Sequence, residues 1–381
     1  MKKKIIFNVP KFEKYDLKNI NNLISLKHYS GNGYFTNKCN QWLVKNLECK
    51  ESLLVHSCTA ALEISAILLN LKAGDEIIMP SYTFVSTANA FVLRGAKIVF
   101  IDVDKKTLNI NPKLIEKKIT KKTKAIVIVH YAGVSCEMEK IKKITKKNRI
   151  ILIEDAAQAL LSKYKGKPLG SFGDLATISF HETKNIHCGE GGALLINNKK
   201  FIRRAKIIKD KGTNRDDFNK KIVKKYTWVD LGSSYSLSEI NAAFLYSQLK
   251  KAKEITRKRI NIWRTYNKFF YKLEKKYQIT RPFVPKYAGI NGHSYFIFIK
   301  KNLRNDMLNF LNKKNIMALF HYIPLHSSPY GKKLSTTNFT LKNTDLKAAS
   351  IIRLPMHLYI KEREIKHISN KVIEYFKNQN K

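Results

Sequence analysis

Acidic residues are scarce in this chain. Only 29 Asp and Glu stand against 72 Lys and Arg in 381 residues, a formal net charge of +43. Cysteine is sparse too: Cys39, Cys49, Cys58, Cys136 and Cys188 are odd in number and contain no Cys-x-x-Cys pair. That argues against a disulfide framework or a paired-thiol zinc site, and no metal is expected. It points to a reducing compartment, so a cytoplasmic location is expected. No apolar run reaches the roughly 20 residues that a membrane span needs. The apolar part of Met1-Lys-Lys-Lys-Ile-Ile-Phe7 is too short for a secretory signal. No internal repeat and no low-complexity linker is present.

The excess positive charge has two readings. One is a surface for nucleic acid or an acidic membrane. The other is lysine spread over solvated faces. Pairs such as Lys117-Lys118, Lys146-Lys147 and Lys250-Lys251 are short and scattered. No zinc-finger spacing, helix-turn-helix or RNP pattern accompanies them. The scatter favours the second reading, with neither nucleic acid nor membrane as partner. A positive field still helps to capture an anionic substrate.

What the chain does have is a rhythm. From about 50 to 200, short β-branched apolar runs at 53–55, 76–79, 97–101, 125–129, 150–153, 176–180 and 193–196 read as strands. Amphipathic stretches at 59–71, 84–93, 112–119 and 137–147 read as helices. Strand–helix alternation implies an α/β fold with a mostly parallel central sheet covered on both faces. Such sheets bind ligands at the carboxyl ends of their strands, where His130, Asp155 and the 181–185 loop fall. A lysine-rich helical region at 237–271 leads to a smaller α+β part with strands at 294–299 and 318–322 and a helix at 363–377. The expected division is a large domain, 1–248, and a small one, 249–381.

The most informative stretch is Ser179-Phe-His-Glu-Thr-Lys-Asn185, whose Lys184 lies 29 residues after Asp155 of Glu154-Asp-Ala-Ala-Gln158. A lysine in a small polar loop and an acid at the end of a buried strand are the minimum for pyridoxal phosphate chemistry. The amine forms a Schiff base with the cofactor aldehyde, and the carboxylate keeps the pyridine nitrogen protonated. Asp155 could equally be a helix N-cap. Ser57-Cys-Thr-Ala-Ala-Leu62 turns from a strand into a helix, which suits either a phosphate seat or an ordinary cap. Phe84 can stack on the pyridine ring or sit in the core. Ser179 can offer a hydroxyl to the phosphate. Gly189-Glu-Gly-Gly192 lets the backbone run close to the loop. His321 and His326 can face a sugar or serve structure. Cys188 sits near Lys184, with no base placed beside it.

These segments, together with Pro80-Ser-Tyr-Thr-Phe84, Lys211-Gly-Thr-Asn-Arg215 and Leu231-Gly-Ser-Ser-Tyr235, resemble the DegT/DnrJ/EryC1/StrS sugar aminotransferases of the fold-type-I pyridoxal phosphate class. Within the family the chain resembles the branch that makes dTDP-4-amino-4,6-dideoxygalactose. The resemblance covers nearly the full chain. It implies Lys184 as Schiff-base lysine and proton shuttle, Asp155 at the pyridine nitrogen and Gln158 near the phenolic oxygen. Thr59, Ala60 and Ser179 would hold the phosphate, with Phe84 on the ring. It also implies a homodimer with shared active sites, in which Ser234 replaces the asparagine that usually reaches the neighbouring subunit's phosphate. L-Glutamate and a nucleotide-linked 4-keto-6-deoxyhexose are the expected substrates, with Arg215 and Arg353 as candidates for the glutamate carboxylate. Two other readings remain: a dehydratase or decarboxylase on the same fold, and a non-catalytic basic nucleic-acid-binding protein.

Overall fold

The computed structural model describes residues 4–334 and 340–379. Residues 1–3 of the basic N-terminal stretch, and the ends of the sequence-derived division, fall outside them.

Seven strands form the central sheet: β1 (Glu51–Val55), β2 (Glu76–Pro80), β3 (Lys97–Ile101), β4 (Thr123–Val129), β5 (Ile151–Asp155), β6 (Leu175–Ser179) and β7 (Gly192–Ile196). Their order across the sheet is β1-β7-β6-β5-β4-β2-β3. Pairings from β3 to β6 are parallel, while β7 runs antiparallel to both β6 and β1. The sheet is thus mostly parallel, as the strand–helix rhythm implies.

Strand alternation divides the side chains between two cores. Ile126, Ile128 and Leu152 pack into one; Val127, Ile153 and Leu194 pack into the other. Helices α1 (Lys14–Leu26), α2 (Tyr34–Leu47), α5 (Met138–Asn148) and α7 (Glu239–Lys250) contribute to the first core. Helices α3 (Cys58–Leu68), α4 (Val85–Val92) and α6 (Ile202–Lys209) contribute to the second. Each fully buried Ile or Leu contributes about 1.5–3 kcal/mol, so Ile153→Asp would break the fold at its centre.

The 26-residue helix α8 (Ala252–Tyr277) starts in the first core through Ala252 and Ile255. It ends in a third core through Tyr266, Phe270 and Leu273. That core packs against an antiparallel pair, β8 (Tyr295–Phe298) and β9 (Ile351–Leu354), flanked by α9 (Arg304–Lys313), α10 (Lys342–Ser350) and α11 (Glu362–Gln379). Ile5 belongs to this core as well and bridges Ile316.

Three local expectations are corrected. The 112–119 stretch forms only Pro112–Ile115 and a 3-10 turn, Glu116–Lys118. The 237–271 region is two helices, parted at Lys251. Residues 318–322 form no strand: Leu319 exchanges backbone hydrogen bonds with Arg353, and the ladder goes no further. Tyr322 adopts φ 34° and Pro324 lacks an N–H, so pairing cannot propagate.

Candidate active site

The strand register assembles the site. Val129 pairs with Asp155 and Asp155 with Thr177, which brings the carboxyl ends of β4, β5 and β6 together. A cavity of about 520 Å³ opens there, with walls from the sheet edge and from the third-core region.

Asp155 ends β5 and is 6% exposed. Its Oδ1 accepts the Ala157 N–H at 3.1 Å and its Oδ2 the Thr87 hydroxyl at 2.7 Å. The acid therefore caps the following turn and lines the cavity at once. The neighbouring Glu154 does not line it. Glu154 accepts His130 Nε2 at 2.9 Å and the N–H groups of Gly170, Phe172 and Gly173 at 2.9, 2.8 and 2.6 Å. The Cys136 N–H donates to His130 Nδ1 at 3.2 Å, so the ring proton sits on Nε2 and points at Glu154. Both side chains are fully buried. His130 is thus a structural residue, despite its place at a strand end.

Lys184 sits in the loop between β6 and β7. The loop closes through Phe180 N to Gly191 O, Cys188 N to Phe180 O and Glu182 N to Gly189 O, all at 2.8–2.9 Å. Among the described residues no hydrogen bond or ion pair takes up Lys184 Nζ. Burial lowers its pKa, and the nearby Cys58 and Asp155 offset that only in part. The result is an amine biased toward its neutral, nucleophilic form. Cys188 is not a competing nucleophile. It is buried, burial pushes its thiol well up, and its Sγ donates to Glu190 O at 3.2 Å.

The N-terminus of α3 faces the same cavity. Ser57 caps it by accepting the Ala60 N–H at 3.0 Å. Thr59 Oγ1 donates to Ser86 Oγ at 2.9 Å, and Thr59 and Ser179 both line the cavity. Ala60 is 1% exposed and lies behind this wall. A Cβ on Gly192 would collide with the Ser57 carbonyl and the Cys58 nitrogen, so glycine is what lets α3 start against β7. Phe84, at the N-cap of α4, is 57% exposed and lines the cavity rather than the core. Gln158 Oε1 accepts the Ala132 N–H at 2.7 Å, which aims its NH₂ at the Tyr322 hydroxyl, 3.0 Å away.

His321 also lines the cavity and pairs through Nδ1 with the Tyr131 hydroxyl at 2.7 Å. Three expected residues lie elsewhere. His326 is held outside by Ser81 at 2.7 Å and Asp345 at 3.3 Å. Ser234 is exposed on a separate stretch. Arg215 borders a different depression. Arg353 does reach the cavity. Its Nε is buried with no hydrogen bond among the described residues, and its guanidinium lies 4.7 Å over the Phe7 ring. Burial holds its pKa below the usual arginine range. In the sequence it stands as a lone arginine in the apolar run Ile351-Ile-Arg-Leu354. Tyr322 and His293 do not stand out in that way, yet both line the cavity.

The sequence profile of the DegT/DnrJ/EryC1/StrS aminotransferase family matches residues 10–373. The chain belongs to this family. An uncharacterized protein of Methanocaldococcus jannaschii is 39% identical over 292 residues, covering 74% of this chain and 75% of that protein. Among solved structures, Helicobacter pylori PseC, an aminotransferase involved in the biosynthesis of pseudoaminic acid, superposes with a TM-score of 0.90 at 29% identity, covering 99% of this chain and all of the other. A sugar aminotransferase from Streptococcus pneumoniae, Spr1654 in its PLP form, shares the fold: TM-score 0.86, 24% identity, 98% of each chain. The fold is that of the fold-type-I enzymes, and the aminotransferase uses pyridoxal phosphate. The donor set fits that group: an unpaired lysine amine, a buried carboxylate on the cavity wall, and hydroxyls at a helix N-terminus.

Proposed function

We propose that this aminotransferase moves an amino group from L-glutamate to C4 of a nucleotide-linked 4-keto-6-deoxyhexose. The reading goes from dTDP-4-dehydro-6-deoxyglucose to dTDP-4-amino-4,6-dideoxygalactose, for a cytoplasmic route to a polysaccharide. The observation that carries it is the unpaired Lys184 amine lining one cavity with Asp155.

In this reading Lys184 would hold the cofactor and would serve as the base that takes up and returns the proton at the donor Cα. When bound, pyridoxal phosphate supplies an electron sink that lowers the cost of removing that proton. Asp155, oriented by hydrogen bonds from Thr87 and the Ala157 N–H, would hold the pyridine nitrogen. Gln158 would meet the phenolic oxygen, and Phe84 the ring. Thr59, Ser179 and the first turn of α3, to which Ala60 belongs, would seat the phosphate. Arg353 would take a glutamate carboxylate, since its buried Nε–H has no acceptor among the described residues and leaving it unpaired is costly. His321 would face the sugar, with His326 supporting that wall from behind through Ser81.

A homodimer is part of the proposal. Ser234 lies near an exposed apolar stretch, with Trp228 78%, Val229 50% and Leu231 46% exposed. A second copy would cover that stretch and bring Ser234 to the neighbouring phosphate.

The test is spectroscopic. Protein loaded with cofactor should lose its visible band with L-glutamate and regain it with the ketosugar, and NMR of the product should show an amine at C4. A band indifferent to every amino donor would sink the reading.

A further inference from the structure

The cavity is rich in groups that donate: Lys184, Arg353, Thr59, Ser179 and the Gln158 amide. His293 differs. It stands just before β8, lines the cavity, and its Nδ1 lies 3.2 Å from Asn185 Oδ1. The Asn185 amide has its orientation set independently, because its Nδ2 donates to the Asn291 carbonyl at 2.9 Å. Its Oδ1 is therefore the atom facing the imidazole, and an oxygen only accepts. The ring proton must then be on Nδ1, which leaves Nε2 as a bare lone pair. Among the described residues no donor reaches Nε2.

The ring is held firmly. The His293 N–H donates to Asn291 Oδ1 at 3.0 Å, and the Asn291 amide donates to the carbonyls of Gln158 and Leu160 at 2.9 and 3.0 Å. Arg259 donates to the His293 carbonyl at 2.8 Å. Gly133 is needed for this arrangement, since a Cβ there would collide with Asn291 Oδ1. Burial, followed by the charges of Lys184, Arg259 and Arg353, keeps the imidazole unprotonated. Asn185, which selects the tautomer, directly follows Lys184 in the chain, so the loop that presents the amine also sets the acceptor.

We propose that His293 is a specificity-determining residue for the acceptor sugar, its bare Nε2 accepting a hydrogen bond from a hydroxyl of the nucleotide-linked ketosugar. This rests on the functional reading above. The carboxylates of an amino donor have no proton to offer that nitrogen, whereas a sugar hydroxyl does. A site built to pair with a hydroxyl discriminates against analogues that lack it.

The experiment separates the two half-reactions of the loaded enzyme. His293→Phe keeps a flat ring and removes the acceptor; His293→Gln keeps an acceptor. With His293→Phe, kcat/KM for the ketosugar should fall about tenfold or more, as expected for one lost hydrogen bond. Bleaching by glutamate should stay within about twofold, and His293→Gln should recover part of the loss. Calorimetry on cofactor-free protein should show weaker binding of the dTDP-aminosugar by His293→Phe. Equal loss in both half-reactions, or unchanged sugar kinetics, overturns the assignment while leaving the aminotransferase reading intact. Wild-type enzyme that bleaches with glutamate but is recoloured by no nucleotide ketosugar overturns that reading and this assignment with it. Should His293→Phe fail to fold, ¹⁵N shifts of the wild-type ring decide: a proton on Nε2 overturns the proposal, and one on Nδ1 supports it.

Discussion

Thr87 donates its hydroxyl proton to Asp155 at 2.7 Å across 68 residues of chain, and the Thr83 hydroxyl stands 2.8 Å behind it. Because the Thr87 proton is committed to the carboxylate, Thr83 donates to Thr87, and two hydroxyls in series support one negative charge. Thr87→Val keeps the shape and removes the donor. Hydrogen bonds to charged groups are worth about 1.5–3 kcal/mol, so the Kd for pyridoxal phosphate should rise roughly tenfold or more. Titration of cofactor-free protein by fluorescence checks this; an unchanged Kd would show that Asp155 needs no such support.

Lys184→Ala should fold with a Tm near wild type, because among the described residues the side chain has no hydrogen-bond or ion-pair partner to lose. It should show no turnover. Borohydride treatment of wild-type holoenzyme, followed by peptide mapping, should place the reduced adduct on the peptide containing Lys184. An adduct on any other lysine removes the basis of the functional reading.

Glu154 is a stability determinant with a defined pH signature. Burial raises its carboxyl pKa, but the hydrogen bonds from His130 and from the N–H groups of Gly173 and Gly170 outweigh that, and the net shift is downward. A depressed folded-state pKa contributes stability that is complete above the unfolded carboxyl value of about 4.3. That contribution drains as pH falls through the lower folded value. Glu154→Gln should therefore lower Tm at neutral pH, by the loss of about 3 kcal/mol. It should also flatten the decline of Tm on acidification. Parallel wild-type and variant curves of Tm against pH would refute the linkage.

Arg353→Met removes a charge while keeping an apolar stem beside Phe7. The expected outcome is a KM for glutamate raised about 10–100-fold, the equivalent of a lost hydrogen-bonded charge. The ketosugar half-reaction of amine-loaded enzyme should change little. If the sugar half-reaction suffers equally, the arginine serves the fold or the sugar rather than the donor.

Gly192→Ala and Gly189→Ala form a matched pair. At Gly192 the methyl would meet the backbone of Ser57 and Cys58, which cannot yield without moving the start of α3. Cofactor affinity should collapse. At Gly189 the methyl meets nothing within 4 Å, and only φ 79° opposes it, at about 1–2 kcal/mol. That variant should lose some Tm and keep its cofactor. Equal cofactor loss in both would separate glycine at 192 from the phosphate seat.

Several features were readable in the linear chain. The apolar runs at 125–129 and 150–153 are strands because a parallel strand buried on both faces must be apolar throughout. Lys184, Asp155 and Ser179 stand out in the sequence because the proposed chemistry restricts residue type and their flanking motifs are long, and all three line the cavity. The run at 318–322 misled because its residues suit a strand, while strand formation depends on a partner ladder that ends at one residue pair. His293 and Tyr322 gave no local signal, since their placement follows from how the third core sits against the sheet edge. His326 looked equivalent to His321 in the sequence, and only the contacts with Ser81 and Asp345 put it outside.

The chain's own pattern determined an amine, an acid and an alternation of strands and helices, because residue type and short-range periodicity are local properties. It named Asp155 for the ligand, but residue type alone does not separate Asp155 from the adjacent Glu154. Successive side chains of a strand point to opposite faces, so one had to turn inward and the other toward the cavity. Tertiary packing made that choice: His130 and the 170–173 turn claimed Glu154, and Thr87 brought Asp155 to the wall beside Lys184. Contacts between residues far apart in the chain settled it, and they exist only once the sheet has closed.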